Sequence, residues 1–345
     1  VAFNTHFQIN YLSRVIKSIR WCALLGAVAF IGIACDPLGD SVQSVSLLPN
    51  KTASPTPLPA VISPTPTPSP TITPTATPTP NLTMTAVAAT CSDTTGQLVD
   101  DSFDSKIARG KVAYRAYLPP CYWTSNRRYP YVILMHGSDG DQTEWTDQLH
   151  IDKTLTAGIL SGDLPPMILI MPNGGKQQNL NIFAPASSFE TLILNELIPA
   201  VESNFCTWNA RDGRAIGGIS RGGFWSIEIG FRHPELFGAV AGHSPFFDPA
   251  NAPPANNPLN LAKTVTFPPG LQPRLWTDSG EYDYARPNIE LYVKALKARN
   301  IDPAYTDYPK SQHWVASWIT HVPDYLKFYG ATWPQDVTAL PSCLQ

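Results

Sequence analysis

An α/β fold, with a mostly parallel central sheet and helices on both faces, is the architecture this sequence predicts, and three observations predict it. The uninterrupted apolar runs Tyr131 to Met135 (YVILM) and Met167 to Met171 (MILIM) read as strands buried on both faces. They alternate with stretches of helical spacing, such as the apolar stripe Phe189, Leu192, Ile193, Leu197, Ile198 and Val201. A glycine-rich turn around Ser220 joins another apolar strand to a helix.

In chain order, Lys111 to Leu118 (KVAYRAYL) alternates apolar and polar residues and predicts a strand with one wet face, ended by Pro119-Pro120. Tyr131 to Met135 runs into the loop His136-Gly137-Ser138-Asp139-Gly140, and Met167 to Met171 into Pro172-Asn173-Gly174-Gly175. Ser188 to Phe205 predicts a helix that Pro199 should bend or interrupt, since proline has no N–H and its ring crowds the preceding turn. After Ser220 come a helix over 221–231, a short strand Phe237 to Ala241, and a Pro- and Asn-rich stretch 245–272 without clear period, expected to be a lid or long loop. Strand Pro273 to Thr277, helix Asn288 to Arg299, strand Pro303 to Asp307 and a closing helix Trp314 to Tyr329 complete the pattern.

The 345 residues include 35 prolines, too many for one compact domain, and they are unevenly placed. Residues 49–80 are a Thr-Pro alternation with no aromatic residue and one charge, so they cannot bury surface, and 36–90 reads as a disordered linker. Polyproline-like extension of residues 49–80 gives a reach of about 100 Å. Residues 1–35 read as an export signal: Arg14, Lys17 and Arg20 precede the apolar run Trp21 to Ala34. That run ends Gly32-Ile33-Ala34-Cys35, small residues before a cysteine as at a bacterial lipoprotein cleavage site, with Gly32 where leucine is usual. The expectation is a domain from 91 to 345 outside the cytoplasm, lipid-anchored at Cys35 and touching membrane only through this segment. Losing three basic residues and no acid takes the formal charge from −3 to −6, and the remaining basic residues are scattered, which argues against nucleic acid. Cys91, Cys121, Cys206 and Cys343 remain beyond the linker, an even number suited to two disulfides in any of three pairings. No C-x-x-C occurs, so a metal or redox reading is weak, and no cofactor is expected.

Chemistry concentrates at Gly218-Ile219-Ser220-Arg221-Gly222. G-x-S-x-G between a strand and a helix is a nucleophile elbow, a turn so tight that glycine must flank a serine pushed out above the sheet. The motif also arises by chance in glycine-rich chains, so its strand-before, helix-after context carries the reading. A serine hydroxyl needs a base, and the base a carboxylate to hold its tautomer, in the chain order Ser, acid, His on an α/β-hydrolase fold. Of His233, His243, His313 and His321, the one in a loop between the last strand and the last helix is His313. Asp278, Glu281 and Asp283 compete as the acid, and Asp283, beyond the Gly280 turn, is favoured, with Asp278 next. The oxyanion needs two donors, expected from the backbone N–H groups of Arg221 and Ser138. His136 is assigned to support of its turn. Trp145, Phe246, Phe247, Trp276 and Trp314 are candidates for an acyl or aromatic pocket, against ordinary core packing.

The segments ILMHGSDGDQTEW, MPNGG, FETLILNELIPAVESNF, GGISRGGFWSI with RHPELFGAVAGHSP, LWTDSGEYD and SQHWVASW, in that order, resemble the putative-esterase (esterase D-like) family of α/β-hydrolases from Lys111 to Tyr329. That family includes feruloyl and acetylxylan esterases, S-formylglutathione hydrolases, siderophore esterases and mycobacterial mycolyltransferases. The resemblance implies Ser220 as nucleophile, His313 as base, Asp283 as acid and the Ser138 and Arg221 N–H groups for the oxyanion. Arg221 stands where the family often carries methionine, so its side chain is expected to crowd or charge the site. The implied function is an exported serine carboxylic-ester hydrolase acting through an acyl-enzyme, with an ester substrate such as acylated polysaccharide. The rivals are an acyltransferase of mycolyltransferase type and a surface binding module with a decayed triad.

Overall fold

The computed structural model describes residues 92–344 apart from 249 and 251. The expected signal segment 1–35, Cys35 and the linker 36–90 lie outside the described residues. Eight strands form one sheet: β1 (Gln97–Ser105), β2 (Gly110–Leu118), β3 (Tyr131–Met135), β4 (Ile168–Pro172), β5 (Arg214–Gly218), β6 (Ala239–His243), β7 (Arg274–Gly280) and β8 (Ala304–Tyr308). Their spatial order is β1-β2-β4-β3-β5-β6-β7-β8. The β1–β2 and β2–β4 pairs are antiparallel and the rest parallel.

The helices are α1 (Tyr122–Ser125), α2 (Ile151–Ser161), α3 (Gly175–Asn179), α4 (Phe189–Leu192), α5 (Ile198–Asn204), α6 (Arg221–Arg232), α7 (Pro258–Thr264), α8 (Arg286–Lys297) and α9 (Val315–Gly330). Both faces of the sheet are covered. Ile133 and Met135 join Ile170, Ile216 and Val240 in a core with Phe224, Trp225, Ile289 and Tyr292 from α6 and α8. Val132 and Leu134 point the other way, joining Leu169, Met171, Leu155, Trp318 and Tyr325 under α2 and α9. Alternate residues of one strand thus enter opposite cores, which is why β3 and β4 have no polar positions.

Two features depart from the sequence expectations. β1 follows no apolar alternation, with acids at 100, 101 and 104, and is held by its antiparallel register with β2. The stretch 245–272 contains α7, started by Pro258 behind Asn257, whose side chain accepts the Leu259 N–H, and Leu259 and Ala262 are buried. It is a packed segment, not a bare loop. The expected helix 188–205 forms behind a Ser188 capping box and is interrupted at Pro199 as its sequence predicts: it widens to a π turn at Ile193–Leu197 directly before the proline, where the ladder loses the proline N–H. Cys206 pairs with Cys343, and Cys121 is also disulfide-bonded.

β3 lies between β4 and β5, so the strand order reverses at this point of the sheet, the place where open α/β sheets put ligand crevices beyond the strands' carboxyl ends. Register places Met135 opposite Gly218, so the loop after β3 and the turn after β5 emerge side by side.

Candidate active site

Ser220 sits between β5 and α6 at φ 53° and ψ −115°, a conformation that residues other than glycine rarely adopt. It is held there by its N–H on the His243 carbonyl (3.0 Å) and by its own carbonyl, which accepts the N–H groups of Phe224 and Phe246 (3.0 Å each). The flanking glycines are needed for space. A Cβ on Gly218 would lie 2.4 Å from the Gly222 carbonyl carbon, and one on Gly222 would lie 2.3 Å from the Met135 carbonyl oxygen. The positive φ of the elbow is therefore carried by the serine, and the glycines let three backbone segments touch.

The Ser220 Oγ is 2.8 Å from His313 Nε2, and His313 Nδ1 is 2.9 Å from Asp283 Oδ1. In this arrangement Nδ1–H donates to the carboxylate, leaving Nε2 free to accept the serine proton. Asp283 Oδ1 also accepts the Ala285 N–H at 2.7 Å. The acid and histidine loops are laced together: the Tyr282 N–H donates to the Ser311 carbonyl (2.9 Å), and the Lys310 N–H to Glu281 (2.9 Å). Gly280 lets them approach, since a Cβ there would meet the Ser311 carbonyl oxygen at 2.3 Å.

The other residues weighed from sequence have different employment. Asp278 and His243 pair with each other at 2.6 Å beneath the elbow. His233 is bonded to Glu190 at 2.8 Å, and His321 to the Ser311 hydroxyl at 2.9 Å. Arg221, expected to crowd or charge the site, is buried and turned away. Its guanidinium donates to the carbonyls of Gln178 (3.0 Å) and Leu180 (3.2 Å) and lies over the rings of Phe224 and Trp225. That burial pushes its pKa down to about 10, still well protonated at neutral pH.

The Arg221 N–H is the first of α6, where helix geometry supplies no intrahelical acceptor. Ser138 lies in the exposed part of the loop after β3, and the loop comes close to the nucleophile: a Cβ on Gly137 would lie 3.9 Å from Ser220 Cβ. His136 Nε2 accepts the Gly174 N–H at 2.9 Å, so Nδ1 carries the proton and donates to the Gly137 carbonyl at 2.6 Å. Burial holds the His136 pKa below its usual value, in keeping with this neutral tautomer.

Of the pocket candidates, Trp145 is displaced from the role expected of it. It is fully buried, donates Nε1–H to the Met135 carbonyl at 3.2 Å and packs against His243 and Tyr325, because the turn Glu144–Gln148 folds it under the sheet's end. Phe247 and Trp276 are likewise core residues. Phe246 is half-buried beside the site, its ring 5.9 Å from that of Tyr284, which lies 4.4 Å from the His313 ring. Trp314, next to His313, is 55% exposed. Sequence reasoning missed Tyr284, also exposed, and the Glu144, Gln178 and Asn179 side chains that grip the 136–140 loop. Only the position of Tyr284 directly after the candidate acid could have drawn notice.

A family model described as "Putative esterase" matches residues 105–324. An esterase of Mycobacterium tuberculosis is 34% identical over 131 residues, covering 37% of this chain and 27% of the relative. An endo-1,4-β-xylanase/feruloyl esterase of Xylanibacter ruminicola is 33% identical over 130 residues, covering 35% of this chain and 18% of the relative. The chain thus spans about a quarter or less of the length of these relatives. Among solved structures, a ferulic acid esterase superposes with a TM-score of 0.62 at 21% identity, covering 69% of this chain and 99% of its own, a likeness of fold.

Proposed function

Given that the chain belongs to the putative esterase family, we propose that it is a serine carboxylic-ester hydrolase that works through an acyl-enzyme on Ser220. The observation that carries this reading is the continuous relay Ser220 Oγ, His313 and Asp283, at 2.8 and 2.9 Å. In the first half-reaction Oγ attacks the ester carbonyl while His313 Nε2 takes its proton, and the oxyanion forms against the N–H groups of Arg221 and Ser138. The imidazolium, steadied by Asp283, then returns that proton to the departing alcohol. In the second half, His313 takes a proton from a water that attacks the acyl carbonyl, and the imidazolium then gives that proton to Ser220 Oγ as the acyl–oxygen bond breaks, releasing the carboxylic acid and restoring the serine hydroxyl.

For the acyl group, feruloyl or acetyl esters on a polysaccharide are the proposal. The half-buried Phe246 and exposed Tyr284 and Trp314 offer aromatic surface beside the nucleophile, and relatives in sequence and in fold carry the name feruloyl or ferulic acid esterase. Placement outside the cytoplasm is supported by the Cys206–Cys343 disulfide, and lipid on Cys35 is proposed from the small residues that precede it in the sequence. Cys35→Ser tests the anchor: lipid labelling unchanged by this substitution would exclude it. Turnover of p-nitrophenyl acetate by the full chain and by Ser220→Ala tests the chemistry. The expected loss in Ser220→Ala is at least ~1000-fold, and equal rates would remove the assignment.

A further inference from the structure

We infer that Glu144 is a positioning residue for the oxyanion site, aligning the Ser138 N–H through the peptide that precedes it; this rests on the hydrolase reading above. Ser138 lies in the loop His136-Gly137-Ser138-Asp139-Gly140, and Gly137 gives that loop wide conformational freedom. An N–H that must meet a developing charge within a few tenths of an ångström cannot be left on a free hinge.

The structure removes that freedom one peptide unit at a time. The unit joining His136 to Gly137 is held at both ends: its carbonyl accepts Gln178 Nε2–H at 2.6 Å, and its N–H donates to Glu144 Oε2 at 2.8 Å. The next unit carries the Ser138 N–H. Its carbonyl, on Gly137, accepts His136 Nδ1–H at 2.6 Å and the Gly140 N–H at 3.2 Å. Carbonyl and N–H of a trans peptide point in opposite directions, so fixing the carbonyl aims the Ser138 N–H the other way. The third unit is tied by the Ser138 carbonyl accepting from Asn179 Nδ2 at 2.8 Å.

Glu144 differs from the other three clamps in being a buried acid. It projects from the turn Glu144–Gln148, under the loop, and occupies the volume a side chain at Gly140 would need: a Cβ there would lie 2.4 Å from Oε2. A Cβ on Gly137 would lie 3.8 Å from both carboxyl oxygens and 3.9 Å from Ser220 Cβ. One carboxyl group therefore sets the height of the loop over the nucleophile and the orientation of its first peptide. Removing it takes the acceptor from the Gly137 N–H and the support from under the loop, and no contact among Ser220, His313 and Asp283 involves it.

The test uses the full chain with Glu144→Gln, Glu144→Asp and Glu144→Ala, steady-state kinetics on p-nitrophenyl acetate, and the affinity for a trifluoromethyl ketone, whose serine hemiketal places an oxyanion at the same donors. Thermal melts establish folding, and Glu144→Asp, too short by one methylene to reach Gly137, carries the comparison if Glu144→Ala does not fold. The expected result is a fall in kcat of about 100-fold in Asp and Ala, with KM within about twofold and ketone affinity falling in proportion to kcat/KM. Glu144→Gln, which keeps an acceptor oxygen in place, recovers activity to within about threefold of the parent. Folded Asp or Ala variants with parental kcat, a loss carried by KM alone, or a Gln variant as slow as Ala would each overturn the inference. Failure of the hydrolase reading shows separately, as turnover by Ser220→Ala at the parental rate.

Discussion

Asp278 Oδ2 and His243 Nδ1 stand 2.6 Å apart, completely buried beneath the Ser220 turn, forming a second aspartate–histidine couple beside Asp283 and His313. The His243 ring is stacked on Tyr325 at 3.7 Å, and its Nε2 is 2.9 Å from the Tyr329 hydroxyl. Its backbone carbonyl receives the Ser220 N–H, so this couple supports the elbow from below. Asp278 also accepts the Ser244 N–H at 3.2 Å, which leaves it committed to the interior.

The two acids should therefore fail differently. Asp283→Asn keeps the shape but favours the wrong imidazole tautomer, and kcat should fall about 10⁴-fold with little change in melting temperature. Asp278→Ala leaves the buried His243 Nδ1–H without its acceptor and should cost about 1 to 3 kcal/mol of stability, while the folded fraction keeps kcat within about tenfold. Kinetics and denaturant titration on both variants decide it. A reversal would transfer the catalytic role to Asp278.

Tyr284 covers one side of the His313 imidazole at 4.4 Å. Losing a ring contact of about 0.5 to 1.5 kcal/mol loosens the histidine, so Tyr284→Ala should lower kcat/KM by up to about tenfold, and Tyr284→Phe by less. An Ala variant indistinguishable from the parent on both p-nitrophenyl acetate and a feruloyl ester would show that the ring neither steadies the base nor meets substrate.

Glu228, inside α6, is fully buried, and burial pushes its pKa up to about 8, with nearby Glu190 adding to the rise. Asn256 donates to its Oε1 at 2.8 Å, and Oε2 has no hydrogen-bond partner among the described residues. The folded-state pKa exceeds the ordinary 4.5, so between those values the native state binds the proton more tightly than the unfolded chain. Stability from this group is then greatest at acid pH and declines as pH rises towards 8. Glu228→Gln should flatten that decline, gaining about 2 kcal/mol at pH 8 and little at pH 5. A melting-temperature series from pH 5 to 8.5 checks this, and parallel curves for the two proteins would contradict it.

The Cys206–Cys343 bond closes a loop of 137 residues, tying Cys343 to the segment that follows α5. Chain entropy puts its worth at up to about 5 kcal/mol. Cys343→Ser should lower the melting temperature while leaving kcat near the parental value at 25 °C. Melts of this variant and of the parent, both without reductant, measure it, and superimposable curves would show that the bridge contributes nothing.

By itself the sequence determined the α/β alternation and the strand–Ser220–helix turn, because doubly buried strands and a glycine-flanked elbow leave local signatures that no packing partner is needed to read. It also ranked His313 and Asp283 ahead of their rivals, since chain order restricts where a base and an acid can emerge from a parallel sheet. Tertiary structure alone decided the rest. The β1 hairpin is stabilised by register with β2 and not by apolar alternation, so acids at 100 and 101 concealed it. The aromatic side chains of Trp145 and Phe246 gave no hint of which would be buried and which would border Ser220, because residue type records size and polarity but not direction. Asp278 and Asp283 are five positions apart on one strand and its following loop, yet one points into the core and the other at the imidazole. That difference arises when β7 ends at Gly280 and the chain turns towards Ser311, a close approach between segments that no single stretch of sequence encodes.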